Sequence, residues 1–365
     1  MHRPFTIIGE NVHASRTCPR QGASMTTSGG ADVLRFVDTS GAERTCPIAS
    51  SIAQSTEYRR QRVKHVKNAL LLGMAGDGLI PVARTGTVTP ETSADARAYL
   101  VAAAVRQERA GACYVDVNVD DIDEDAGLRR LAIAWLVRLL EPELGIPLSL
   151  DSSASEVLEA GLRASRAGGR ASLLNSASVE RLEVLDLALE LRAAVVLSAV
   201  RGSGAAPGID ARLDCAESML RAALDRGLSP DDCHVDLLVL PAGLNCEAGA
   251  SFLTASRAFR GVHGPDVHIT GGLSNISFGL PARRVLNDAF VAMALDAGVD
   301  SGILDPVAVQ LERVVAIDRL SLPFRLASAV ILGTDEYAAG YLAAYRAGLL
   351  SPQTRGEPAH AQALP

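Results

Sequence analysis

From residue 93 onward the chain alternates between two textures, short apolar runs rich in β-branched residues and longer segments with helical spacing. That alternation predicts βα units wound around a parallel sheet. Counting the first run near the N-terminus, eight strand-like runs occur: "FTIIGEN" near Ile7, "CYVDVN" at Cys113 to Asn118, "IPLSLD" ending at Asp151, "ASLLNS" around Leu174, "AVVLSAV" around Val196, "HVDLLVLP" at His234 to Pro241, "VHITGG" at Val267 to Gly272 and "SGILDP" at Ser301 to Pro306. The segments between them are amphipathic; in Asp125 to Leu140 the residues Leu128, Leu131, Trp135 and Leu139 form one predicted stripe. Eight parallel strands with intervening helices predict a (β/α)8 TIM barrel of about 250 residues. An open doubly wound sheet would need edge strands and usually a Gly-rich first turn.

The gap between the first and second strands is too long for a barrel loop. We read residues 1–13 as the first strand, 14–92 as an insertion in the first loop, 93–350 as the rest of the barrel and 351–365 as a disordered tail. Within the insertion, "VLRFVDTSGAERTCPI" predicts a hairpin around Ser40 and Gly41. "EYRRQRVKHVKNALLLG" predicts one helix with Val63, Val66 and Leu70 on a face. Its basic residues Arg59, Arg60, Arg62, Lys64 and Lys67 fit a solvated face or a contact with an acidic partner.

With 35 Lys+Arg against 42 Asp+Glu, the net charge of −7 offers no basic field for a polyanion, so nucleic acid is not an expected partner. The start lacks an apolar core behind a basic head, and no run of about 18 uncharged apolar residues occurs, so the expected setting is the cytoplasm, without a membrane span. Six scattered cysteines without C-x-x-C spacing read as reduced thiols, and no metal site is expected.

Barrel chemistry gathers at the C-terminal ends of the strands. There the second strand has Asp116 and Asn118, the third Asp151, the fourth Asn175 and Ser176; the sixth carries Asp236, the seventh is followed by Ser274 and Asn275, and the eighth ends at Asp305. Taken singly, each fits a helix cap or a loop hydrogen bond. Their convergence points to a site. Asp236 has apolar residues continuing after it, and a buried carboxylate is costly unless it holds donors. Carboxylates and amides with no cation among them suit a neutral heterocycle rich in N–H groups, such as an aminopyrimidinone.

These same stretches carry a resemblance. "IIGEN", "GACYVDVN", "IPLSLDSSASEVLEAGL", "LLNSAS", "VDLLVLP" and above all "GLSNISFGLPARRVLNDAFVAMALDAGVDSGILDP" resemble the pterin-binding barrel of methyltetrahydrofolate:corrinoid methyltransferases, which includes the folate module of cobalamin-dependent methionine synthase. The resemblance covers the first strand and roughly residues 95 to 320. It implies that Asp151, Asn175 and Asp236 hold the pterin, that Asp116 and Asn118 match the family's Asp-x-Asn, that Arg283 matches its downstream arginine, and that Asn275 lies near N5 of the folate. It implies tetrahydrofolate or 5-methyltetrahydrofolate as substrate, a corrinoid (cobalamin) carried by a separate protein, and a homodimer. Asn275 and Asp151 are then the catalytic candidates, because N5 must gain a proton or a strong hydrogen bond as its bond to the methyl group breaks.

Two positions depart from the family: Leu237 replaces the usual proline after Asp236, and His13 stands where an asparagine is expected. "DVHITG" at Asp266 to Gly271 matches the D-x-H-x-x-G string of cobalamin modules, but the other marks of that module are absent and the string falls on the seventh strand. "SAVRGSGAAPG" lacks phosphate-loop spacing and reads as a flexible barrel loop. The alternatives are a dihydropteroate synthase-like enzyme, whose lysine-bearing loops this chain lacks at "LPAGLN" and "GLSNIS", and a catalytically silent folate- or pterin-binding protein.

Overall fold

The structure is a computed structural model that describes residues 4–166, 172–202 and 208–350. Eight parallel strands follow the chain: β1 (Thr6–His13), β2 (Tyr114–Asn118), β3 (Leu148–Asp151), β4 (Leu173–Ala177), β5 (Ala194–Ser198), β6 (Cys233–Asp236), β7 (His268–Thr270) and β8 (Ser301–Leu304). Their spatial order is β7-β6-β5-β4-β3-β2-β1-β8. A parallel bridge from Gly272 to Ile303, with the Ile303 N–H donating to the Gly271 carbonyl at 2.9 Å, joins β7 to β8 and closes the ring. The fold is therefore the expected (β/α)8 barrel with a long insertion after its first strand.

Closure decides which side chains share the lumen. The rings of Tyr114 on β2 and His234 on β6 meet with centroids 6.5 Å apart, although these strands are not neighbours, so both point inward. His234 Nδ1 also lies 3.0 Å from Ser301 Oγ on β8. Because side chains alternate along a strand, Asp116 and Asn118 stack above Tyr114, and Asp236 above His234. Beside these rings, Ile8, Leu173 and Val196 form a small apolar plug, fully buried, with Tyr114, Ile303 and Ala194 packed on it. The larger core lies between the outward strand faces and the helices, where Phe252 and Phe290 pack at 5.6 Å.

Helices α1 (Pro90–Arg109), α2 (Ala126–Leu140), α3 (Ser155–Ala164), α4 (Glu183–Leu191), α5 (Ile209–Asp225), α6 (Ala248–His263) and α7 (Arg283–Asp296) alternate with the strands. Asp125 caps α2 by accepting from the Leu128 N–H at 2.6 Å. The stripe predicted on α2 is displaced. Leu131 is exposed, and the buried face is Ala132, Ile133, Trp135, Leu136, Val137 and Leu140, because α2 wedges against both its strand and α3. The apolar run after Asp236 is likewise not strand: β6 ends at Asp236, and Leu238 adopts a left-handed backbone with φ of +61°.

In the insertion, the antiparallel pair Ala31–Val37 and Glu43–Pro47 is the predicted hairpin, with Met25–Ser28 as a third strand. The single helix predicted after it is broken. Thr56–Arg59 forms one short helix, Gln61 takes φ of +63°, Arg62–Val63 pairs with Cys18–Pro19, and only then does the helix His65–Gly76 begin. That helix lies tight on α1 and α2. A Cβ added to Gly76 would stand 2.0 Å from Ser93 Oγ, and one on Gly73 would stand 2.6 Å from Trp135. Among the described residues no helix is long and apolar enough to cross a membrane. The tail predicted at 351–365 and residues 203–207 of the Gly-rich loop lie outside the described residues.

Candidate active site

Parallel register builds the β2–β4 side of the mouth. Asp116 is level with Ser149, Asn118 with Asp151, and Asp151 with Asn175. Ser149 Oγ donates to Asp116 Oδ1 at 2.6 Å, and Asn118 Nδ2 donates to Asp151 Oδ2 at 2.9 Å. Asp151 does not cap the following helix, since α3 begins after Ala154 with no side-chain cap. The helix-cap reading of this aspartate therefore fails.

Burial, and next the charge of Asp151, push the Asp116 carboxyl well above its ordinary range, against hydrogen bonds from Ser149 and Asn175. Burial lifts Asp151 to about 6, opposed by the Asn118 bond and the Arg181 charge and reinforced by Asp120. Two buried carboxylates that feel each other's charge resist double ionisation, so one keeps its proton to higher pH. The pair thus offers an O–H donor beside a carboxylate acceptor.

Asp236 completes the far side. Its Oδ1 accepts the Leu238 N–H at 2.8 Å, and it is level with Ser198 and Thr270. Burial raises it to about 6, with the Leu238 bond and the Arg212 charge pulling it down. Beyond β7, Asn275 sits in the turn Leu273–Ser277. Gly272 makes room for Asn275, since a Cβ there would stand 2.6 Å from Asn275 Nδ2, and a Cβ on Gly271 would crowd Val239 at 3.0 Å and Phe252 at 3.1 Å. No hydrogen bond engages the Asn275 side-chain amide among the described residues.

Arg283, expected among the pterin-binding residues, makes its hydrogen bonds to the turn Leu273–Ser277. Its Nε donates to Ser277 Oγ at 2.9 Å, its Nη2 to the Ser274 carbonyl at 2.9 Å, and its guanidinium lies 4.5 Å from the centre of the Phe278 ring. It braces the turn that carries Asn275. Asp305 caps its own loop through the Val307 N–H at 3.0 Å and accepts from Asn11 Nδ2 at 2.7 Å.

The expectation of a site without cations is corrected. Arg181 donates to the Ser152 carbonyl at 2.9 Å, close enough to lower Asp151, and the buried Arg212 on α5 lowers Asp236. Neither arginine lies at a strand end, so the strand-end rule passes over them. Sequence reasoning also missed Thr270: its Oγ1, like Ser274 Oγ and Asn11 Oδ1, is buried with no hydrogen-bond partner among the described residues. Orphaned polar atoms at one rim suit a ligand that supplies the missing bonds. His13 reaches the same rim, with Nδ1 2.8 Å from Ser15 Oγ and Nε2 3.8 Å from Asp151 Oδ2. Burial and then the Arg16 charge keep its pKa below the usual histidine value.

Two other features lie apart from this rim. His268 of "DVHITG" sits at the barrel floor, stacked on His234 at 4.4 Å with Nδ1 3.2 Å from Asp300 Oδ2. A groove of about 720 Å³ runs beside the mouth, between Leu244, Phe278 and Tyr337, and none of Asp116, Asp151 and Asp236 lines it.

A closed parallel barrel with carboxylates and amides around its C-terminal mouth is the architecture of a pterin-binding (β/α)8 enzyme. The chain belongs to the pterin binding enzyme family, whose model matches residues 88–305. Among its relatives, a methylcorrinoid:tetrahydrofolate methyltransferase of Eubacterium limosum is 27% identical over 292 residues, covering 78% of this chain and 98% of the relative. Methionine synthase of Mycobacterium leprae is 30% identical over 250 residues, which are 64% of this chain but only 20% of that protein. Among solved structures, dihydropteroate synthase of Stenotrophomonas maltophilia with bound imidazole aligns with a TM-score of 0.49 at 19% identity, covering 63% of this chain and 88% of that one.

Proposed function

We propose that this chain exchanges a methyl group between N5 of tetrahydrofolate and the cobalt of a corrinoid held by a separate protein. The observation that carries the reading is the pairing of a carboxylate ring, Asp116, Asp151 and Asp236, with the uncommitted amide of Asn275 at its edge. The carboxylates suit the N–H groups of an aminopyrimidinone, where charge-assisted bonds are strong. Asn118 and Asn175 match its mixed remainder, and Arg283 holds the turn that presents Asn275. Asn275 and Asp151 are the catalytic residues in this reading: the amide stabilises the protonated form of N5, so that the amine leaves as a neutral group, while Asp151 tunes the charge nearby. The likeness to the methyltransferase of Eubacterium limosum along nearly its whole length supports the same reaction class. A dihydropteroate synthase-like reaction is less well supported, because "LPAGLN" and "GLSNIS" provide no lysine for an anionic leaving group.

The reading includes barrel limits at residues 1–13 and 93–350 around the 14–92 insertion, a homodimer, and a cytoplasmic setting. Rapid mixing of the protein with methyltetrahydrofolate and a Co(I) corrinoid tests it. Methylcobalt absorbance should appear at a rate that depends on the protein; pterin binding without that absorbance would leave only a silent binder.

A further inference from the structure

The insertion is the largest feature that the pocket chemistry leaves unused. At its C-terminal side, Lys64 Nζ lies 2.8 Å from Asp121 Oδ2 and 3.3 Å from Glu57 Oε1, and Lys67 Nζ donates to the Asp121 carbonyl at 2.5 Å. Arg84 adds a third cation, 2.6 Å from Asp123. All three grip the loop after β2, where five of the six residues 120–125 are acidic. Without these cations the loop's like charges would repel one another within a few ångströms.

The same loop reaches the pocket. The Asp120 N–H donates to Asn118 Oδ1 at 2.9 Å. The Asp120 carboxylate accepts the Ser152 hydroxyl at 2.5 Å, and the Ser153 N–H and hydroxyl at 2.8 Å each. Asp121 directly follows Asp120, and Ser152 directly follows Asp151, so polar contacts joined by two backbone steps run from Lys64 and Lys67 to the β2–β3 side of the site.

We propose that Asp120 is a positioning residue for Asn118 and Asp151, and that Lys64 and Lys67 of the insertion hold it in place. This inference rests on the pterin reading of the pocket. It gives the insertion a role in substrate binding at a distance from the ring itself. The groups facing Asp151 are Asp116, Asp120, Arg181 and His13. Of these, the charge of Asp120 raises the proton affinity of Asp151 and that of Arg181 lowers it.

The test is a titration of tetrahydrofolate binding from pH 5 to 8 in the full chain and four variants. In the wild type, affinity should fall as Asp151 is protonated near pH 6. Asp120→Asn keeps an acceptor and removes the charge, so the midpoint should move to lower pH, with affinity at pH 8 within about threefold of wild type. Asp120→Ala and the double variant Lys64→Ala, Lys67→Ala should each weaken binding at pH 8 by about tenfold, whereas Lys64→Arg with Lys67→Arg should restore most of it. If Asp120→Ala fails to fold, the lysine variants, checked for helix content by circular dichroism, still decide the matter. A wild-type chain that does not bind tetrahydrofolate overturns the pterin reading and this inference with it. Wild-type binding with affinity and midpoint unchanged in every variant overturns this inference alone.

Discussion

Replacing Asp236 with Asn should make the unliganded protein more stable while removing much of its folate affinity. The carboxyl is raised by burial from 3.8 to about 6. At about 1.4 kcal/mol per tenfold change, that displacement corresponds to about 3 kcal/mol held against folding. Water at the mouth screens part of this, and Arg212 loses its counter-charge, so we expect a gain of about 1–2 kcal/mol above pH 7. The direction follows from linkage. An acid whose folded-state pKa is raised costs nothing below its unfolded value of 3.8 and its full amount above about 6. The advantage of Asp236→Asn should therefore shrink as pH falls through 6 and vanish near 4. The Leu238 N–H keeps an acceptor in the variant, so the loop has no other reason to loosen. Urea unfolding at pH 7.5, 6, 5 and 4 gives the stability difference, and calorimetry with tetrahydrofolate gives the affinity. Loss of one charge-assisted contact should weaken binding by about 10- to 100-fold. A variant less stable than wild type at pH 7.5, or a difference that does not vary with pH, would refute the electrostatic reasoning; unchanged affinity would remove Asp236 from the site.

Asn275→Ala should slow methyl transfer by about 100-fold or more while changing pterin affinity much less, and equal losses in stopped-flow rate and binding titration would contradict its assigned role. His268→Ala should leave methyl transfer within about threefold, because the ring lies at the barrel floor beside Asp300, and should lower the melting temperature; lost activity in a variant of unchanged stability would refute that placement. Gly249→Ala should destabilise by about 1–3 kcal/mol, since the new Cβ would stand 2.4 Å from the Ile331 carbonyl oxygen; a wild-type melting temperature would show that α6 has slack there.

Much of the architecture was legible because it is local. Strand-length apolar runs ending in Asp116–Asn118, Asp151, Asn175 and Asp236 report an eight-strand parallel sheet and the rim where its polar residues gather. Local reasoning failed where packing decided. The stripe through Leu131 missed because the buried face of α2 is set by two neighbours at once. The basic segment 57–73 carries helical spacing throughout, yet Gln61 breaks it so that Arg62–Val63 can pair with Cys18–Pro19.

By itself, the order of residues determined the number and direction of the strands and the kinds of side chain at their ends, since periodicity of two or near four is written into neighbouring positions. The tertiary structure alone decided which groups meet: Asn118 with Asp151, Arg181 and Arg212 beside the carboxylates, and Asp120 tied to Lys64 and Lys67 through Asp121. Those meetings join residues tens of positions apart. Proton affinities and hydrogen bonds depend on distance in space and on water excluded from between the groups, and neither is a property of any short stretch of chain.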